Sequence, residues 1–301
     1  MRRLPGYLPI KGHLIINETY SEIAGRYLVA TPTGAWRKLG EPSGYSLVHS
    51  PDVGWLWKRE GDRLRLVDLT NGERIAIKTP DLKGQTLHDV VYIRGTLFLV
   101  TDRGWGVEAG GVPPAFRETA DGVPVLRLNK YEVVCWRNYG DRDEFRLTNL
   151  KTGSEHVVLL ASGISMWSFD DQRQRLYGLT DRLERLKRWS WSGTGFVKVD
   201  TGPLPWDRFD AHCDGFLVIP GTDWVVYVMQ QYQRSNFLRF ESSWNKPYAF
   251  EAGGHSRAVA FPCPVESLVE IMGWIPEIHE GRSSFDPIRS LSSPSDTMAT
   301  H

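Results

Sequence analysis

Leu64-Arg65-Leu66-Val67-Asp68-Leu69-Thr70-Asn71-Gly72-Glu73 and, further along the chain, Phe145-Arg146-Leu147-Thr148-Asn149-Leu150-Lys151-Thr152-Gly153-Ser154 share one form: apolar-x-apolar-x-Asp/Asn-Leu-x-x-Gly-x. Alternation at a period of two marks a strand with one face buried. A glycine just after it supplies the positive φ that a tight hairpin turn demands. Each copy is followed by a second strand-like run, Arg74-Ile75-Ala76-Ile77-Lys78 in one and His156-Val157-Val158-Leu159-Leu160 in the other. Each is also preceded by two more. In the first unit these are Tyr45-Ser46-Leu47-Val48-His49 and Gly54-Trp55-Leu56-Trp57-Lys58. In the second they are Val123-Pro124-Val125-Leu126-Arg127-Leu128 and Tyr131-Glu132-Val133-Val134-Cys135-Trp136. Four short antiparallel strands in roughly 40 residues make one blade of a β-propeller.

The phrase recurs with decay at 87–121, 164–199 and 209–250, the last with Phe237-Leu238-Arg239-Phe240 and Tyr248-Ala249-Phe250 as separate strands, and incomplete versions stand at 20–39 and 257–274. Unit starts near 20, 45, 87, 122, 164, 208 and 257 predict seven blades; merging the two incomplete units gives six. In either case a blade sharing N- and C-terminal strands is expected, with Leu14-Ile15-Ile16 joining the C-terminal strands. No window of a dozen residues keeps a helical period. The expected organisation is therefore one all-β propeller of four-stranded antiparallel blades over 1–275 and a loop-like tail over 276–301, rich in Ser, Pro and charge.

Composition narrows the function classes. The chain has 301 residues, 36 Lys+Arg against 36 Asp+Glu, and 41% hydrophobic residues, which excludes a disordered chain. Zero net charge removes the long-range field that a generic polyanion binder uses. Three cysteines without C-x-x-C spacing give no metal site and suit a reducing compartment. With no secretory signal and no apolar run of membrane-helix length, the chain reads as cytoplasmic. Twelve Trp and 29 Gly are what blades need, rings to fill the wedge between splayed sheets and residues for tight turns.

Ser50-Pro51-Asp52 after an apolar strand, a turn Gly54, an apolar second strand and then Leu66-Val67-Asp68-Leu69-Thr70-Asn71-Gly72-Glu73 together resemble the repeat of the TolB-like and WD40-related propellers. Phe169-Asp170-Asp171 with Gln174-Arg175-Leu176-Tyr177 resembles a worn second copy of the same first turn. The resemblance implies the fold and a tendency to bind partners, and it carries over no functional residue. Gly254-His255 and Trp206-Asp207 are not placed as in WD40 repeats. Ser50-x-Asp52-x-Gly54-x-x-Trp57 also resembles the Asp-box turn of sialidase-like propellers, without its Thr.

Catalytic motifs are missing: there is no Gly-x-Ser-x-Gly elbow, phosphate loop, His-Glu-x-x-His or calcium loop. In His212-Cys213-Asp214 adjacent side chains on a strand face opposite ways, so a half-buried Cys is the better reading than a thiolate nucleophile. Asp141-Arg142-Asp143-Glu144 reads as a solvated hairpin turn rather than a cation site. His13, His49, His88, His156 and His255 lack ligand spacing, so no metal and no cofactor is expected. Arg173, Arg175, Arg182, Arg185, Lys187 and Arg188 interleave with Trp189 and Trp191 as single-strand binders do. Asp170, Asp171, Asp181 and Glu184 lie among them, which favours a charged blade edge over a nucleic-acid site.

The expected activity is non-catalytic binding of a protein, as an adaptor or stoichiometric inhibitor such as a toxin-neutralising immunity protein. Trp36, Trp105, Trp206, Trp244, Arg188 and Trp191 are the expected contact residues, because Trp and Arg dominate binding hot spots. No membrane partner is expected, and oligomeric state is left open. The alternative is a glycan-active hydrolase or lyase in the central channel. Two carboxylates and an Arg converging at one mouth of the channel would mark the enzyme, and a dry aromatic patch on the rim the binder.

Overall fold

A computed structural model describes residues 12–18, 26–31, 36–39, 44–69, 72–79, 81–82, 84–102, 104–107, 115–117, 122–180, 185–199, 204, 211–234, 240–253, 258–261 and 269–276. The first sheet joins β1 (Gly12–Glu18), β2 (Arg26–Thr31) and β3 (Trp36–Leu39) to the last strand, β24 (Val269–Pro276). The second holds β4 (Ser46–Leu47), β5 (Trp55–Glu60), β6 (Arg63–Asp68) and β7 (Arg74–Lys78). The third holds β8 (Leu87–Ile93), β9 (Thr96–Thr101), β10 (Gly104–Val107) and β11 (Ala115–Arg117). β12 (Val123–Arg127), β13 (Glu132–Asn138), β14 (Asp143–Asn149) and β15 (Glu155–Ala161) make the fourth. The fifth contains β16 (Ile164–Asp170), β17 (Arg175–Thr180), β18 (Leu186–Trp191) and β19 (Phe196–Val199). β20 (Ala211–Val218), β21 (Trp224–Arg234), β22 (Phe240–Glu251) and β23 (Val259–Ala260) complete the sixth. All pairings within these sheets are antiparallel.

The repeated decapeptide folds the same way twice. Gly72 N–H donates to Asp68 C=O and Gly153 N–H to Asn149 C=O, both at 2.8 Å, with Gly φ of 75° and 79°. The Leu after each Asp or Asn is also spent alike: Leu69 N–H bonds Gly54 C=O and Leu150 N–H bonds Tyr131 C=O.

Among the described residues there are six four-stranded sheets, where the unit starts predicted seven. The seventh unit dissolves into its neighbours. Phe240 and Tyr248-Ala249-Phe250, read as separate strands, lie in the single 12-residue β22. Val259-Ala260 then becomes the outer strand of the sixth sheet, and β24 crosses to pair with β1, Ile15 opposite Gly273. The segment 277–301, expected as a tail, lies outside the described residues.

The core is a set of wedges. Six buried apolar clusters each span two neighbouring sheets, and one of them packs the sixth sheet on the first through Ile219, Val226, Phe261, Leu14 and Trp274. Large rings fill these wedges. Trp55 meets Tyr92 across the second and third sheets at 4.8 Å, and Trp167 sits 4.8 Å from Phe145 across the fifth and fourth. Truncating a fully buried ring such as Trp55 to Ala costs about 3–5 kcal/mol, which is why Trp is abundant here.

Candidate functional site

The strands that begin each sheet, with β24 in the first, surround a cavity of about 380 Å³. Residues of all six sheets line it. Its wall is mostly apolar and aromatic, with Trp136, Trp167, Phe169, Phe216, Met272 and Trp274 prominent. The main polar feature is the pair His49 and Asp89, Nε2 to Oδ2 at 3.1 Å. Backbone geometry holds this pair in place. His49 N–H donates to Val90 C=O and Tyr92 N–H to His49 C=O, a parallel bridge that ties the second sheet to the third. Asp89 is fixed in turn by accepting from Val90 N–H at 2.7 Å. The hydrogen bond to Asp89 raises the His49 pKa, and burial opposes that rise. The imidazole is nevertheless 65% exposed, so the lumen is open to solvent.

The turns that follow these strands form a second polar group. Asp52 accepts from Arg94 N–H at 2.7 Å, and the Arg127 guanidinium donates to Arg94 C=O at 2.6 Å. Asp171 accepts from Arg127 N–H at 2.6 Å and is ion-paired with Arg94 Nε. Arg94 of the third sheet therefore reaches the fifth past the fourth, which places this group across the end of the lumen. Two carboxylates and two guanidiniums do converge there, as an enzyme would need. Each carboxylate, however, also accepts a backbone N–H of another sheet, so each helps to join the sheets. Burial pushes the Asp171 carboxyl up to about 6, with the Arg127 N–H and the Arg94 charge pulling it back. Tyr92, beside them, is pushed up to about 12 by burial and by the Asp52 charge.

Ser50-Pro51-Asp52 and Ser168-Phe169-Asp170 are the two copies of this clasp. Asp170 accepts from Gly221 N–H of the sixth sheet at 2.9 Å, as Asp52 does from Arg94 N–H of the third. Both donors sit at positive φ, 76° for Gly221 and 45° for Arg94. Ser50 Oγ accepts from Asp52 and Val53 N–H within its own turn, whereas Ser168 Oγ accepts from Val218 N–H across the junction.

The residues singled out from sequence scatter. Trp36 lies in β3 at the outer edge of the first sheet, 53% exposed. Trp105 and Trp244 fall in β10 and β22, with side chains outside the described set, and Trp206 lies outside the described residues. Arg188 and Trp191 share β18 but face opposite ways. Arg188 turns to the sixth sheet, where it, Arg173 and Arg175 surround Asp223 at 2.9–3.2 Å. Trp191 turns to the fourth and fifth, edge-on to Phe196 at 5.2 Å. Arg188 and Trp191 thus lie on the two faces of one sheet and form no common patch.

Cys213 is buried, its thiol donating to Gly215 C=O at a bulge. The Asp141–Glu144 run departs from a solvated turn: Asp141 and Arg142 are exposed, but Asp143 and Glu144 are buried. Asp143 accepts from Trp136 Nε1 and Asn138 Nδ2, both at 2.9 Å, and Glu144 pairs with Arg146. His13, His88 and His156 lie on β1, β8 and β15, while His255 is outside the described residues. Among the described residues no three His, Cys, Asp or Glu side chains gather as a metal site would.

No protein-family model matches the chain, and no curated protein does. Similar solved structures include a chain of the nidogen/laminin complex, 10% identical, covering 86% of this chain and 97% of that one at a TM-score of 0.49. A chain described as TolB from Agrobacterium tumefaciens is also 10% identical, covering 84% and 89% at 0.46. The beta-propeller domain of Cps50 (Swd1) from Myceliophteria thermophila is 11% identical, covering 90% and 91% at 0.46. The architecture described above rests on the strand pairing itself.

Proposed function

We propose that the six sheets are the blades of a closed ring and that the chain is a non-catalytic scaffold holding a protein partner on its outer rim. The observation that carries this reading is the edge strand β15. Outer strands present unpaired backbone groups and are ordinarily guarded by charge or kept short. β3 carries Arg37 and Lys38, β7 Arg74 and Lys78, β11 Arg117 and β19 Lys198, and β23 has two residues. β15 is seven residues long, with one charged residue, Glu155, at its start and a bulge at Val158, and it exposes Val157 at 45% and Leu160 at 58%. Val197 of β19, 56% exposed, extends the apolar rim on the next sheet. Such an edge suits addition of a partner strand, in which main-chain hydrogen bonds give affinity and alternate side chains give specificity. An adaptor or stoichiometric inhibitor of one protein fits this surface.

The glycan-enzyme alternative is less well supported, because the carboxylates at the mouth of the lumen are bonded to backbone. The test is affinity capture on wild-type and Val157→Lys/Leu160→Lys protein, with mass spectrometry of what is retained. A stoichiometric partner held by the wild type and lost from the folded double variant is expected. Equal retention by both, or turnover of a glycan panel with no partner retained, overturns the reading.

A further inference from the structure

The lumen and its imidazole are unused by a partner held at the rim, and they have the make-up of a small-molecule site. Such sites span about 300–1,000 Å³, are largely apolar and carry a few fixed polar groups. The cavity of about 380 Å³ falls in that range, and aromatic side chains from four sheets supply its walls. One end of its polar pair is spent and the other is not. His49 Nε2 is bonded to Asp89, while Nδ1 has no partner among the described residues and the ring stands open to the lumen.

We propose that the lumen binds an aromatic carboxylate, its ring against Trp136, Trp167 and Phe216 and its carboxylate oxygen accepting from His49 Nδ1–H. Aromatic walls accept a flat ring in offset or edge-on contact. Asp89 accepts Nε2–H and favours the protonated imidazole, in which Nδ1 carries the second N–H and is a donor. A charged donor then meets a carboxylate, and such a bond is stronger than one between neutral groups. Asp52 and Asp171 are held by Arg94 and by backbone N–H groups, and neither bonds His49.

Quenching of tryptophan fluorescence and titration calorimetry with 2-naphthoate, and with uncharged 2-naphthalenemethanol as comparator, test the site. Wild-type protein is expected to bind 2-naphthoate more tightly than the alcohol. His49→Gln should weaken 2-naphthoate by about tenfold or more while leaving the alcohol nearly unchanged, since only the charged bond is lost. Leu217→Trp fills the lumen from the sixth sheet and should abolish both. Circular dichroism and a thermal melt confirm that each variant is folded. Failure of 2-naphthoate to bind at millimolar concentration, or undiminished binding to folded His49→Gln or Leu217→Trp, overturns the proposal.

Discussion

The junction of the first and second sheets and that of the fifth and sixth are joined by different forces. The former is dry: Ile15, Leu56, Leu69 and Ile275 pack with Leu47 and Val67, and Gly54 lies against Ile275. The latter adds to its apolar cluster a set of directed bonds, Ser168 to Val218, Asp170 to Gly221, and three guanidiniums on Asp223. Packing tolerates small sliding but no added volume. Hydrogen bonds tolerate little sliding and fix register. The sheet assembled from distant chain segments is therefore held to the second by shape, and the second to sixth sheets are joined by specific clasps.

Adding volume at the dry junction should do most harm. A Cβ on Gly54 would collide with Ile275 Cδ1 and lie 2.6 Å from its Cγ1, in a side chain only 1% exposed. Gly54→Val should cost about 3 kcal/mol or more in urea unfolding, and Ile275→Ala in the same chain should recover part of it. Unchanged stability in Gly54→Val would show that the junction is loose.

Next comes the acid response of Asp171. A carboxyl that titrates near 6 in the fold and at 3.8 ordinarily holds its proton more tightly when folded. Its contribution to stability therefore falls as pH rises between those values, by at most about 3 kcal/mol. The stability difference between wild type and Asp171→Asn, followed by thermal unfolding from pH 3 to 7, should move against the wild type across that window. A flat difference would mean that Arg94 fully offsets burial.

At the clasped junction, Asp170→Ala removes the acceptor for Gly221 and Arg173 N–H and should cost about 2 kcal/mol. Asp223→Asn should cost least, below about 1 kcal/mol and less still in high salt, because Asp223 is 34% exposed. A larger loss there would make the ionic cluster, rather than Asp170, the main clasp.

These contrasts also mark what the sequence could tell. The hairpin turns at Gly72 and Gly153 were legible because a local pattern dictates a local φ. Ser50-Pro51-Asp52 was legible as a turn, but not as a clasp, since its acceptor atom serves Arg94 on another sheet. Gly54 reads as a turn glycine, yet its φ is not positive; it is small because Ile275, far along the chain, must approach it. Phe240 and Tyr248 read as two strands because nothing local reveals the length of β22. The pairing of His49 with Asp89 depends on one backbone bridge between separate sheets, which no periodicity within either strand encodes. The opposition of Arg188 and Trp191 tells the other way. It follows from their odd separation along one strand, and the alternation rule could have split that cluster from the outset.

The crossing of β24 to β1 bears on the order of events during synthesis. Five sheets take all their strands from a continuous stretch of chain and can form as they leave the ribosome. The first must wait, with the edge of β1 unpaired, until Val269–Pro276 emerges. Nascent chains that stall short of that strand would carry an open, sticky edge and the uncovered faces of Leu14 and Ile16, a substrate for chaperones rather than a slightly shortened scaffold.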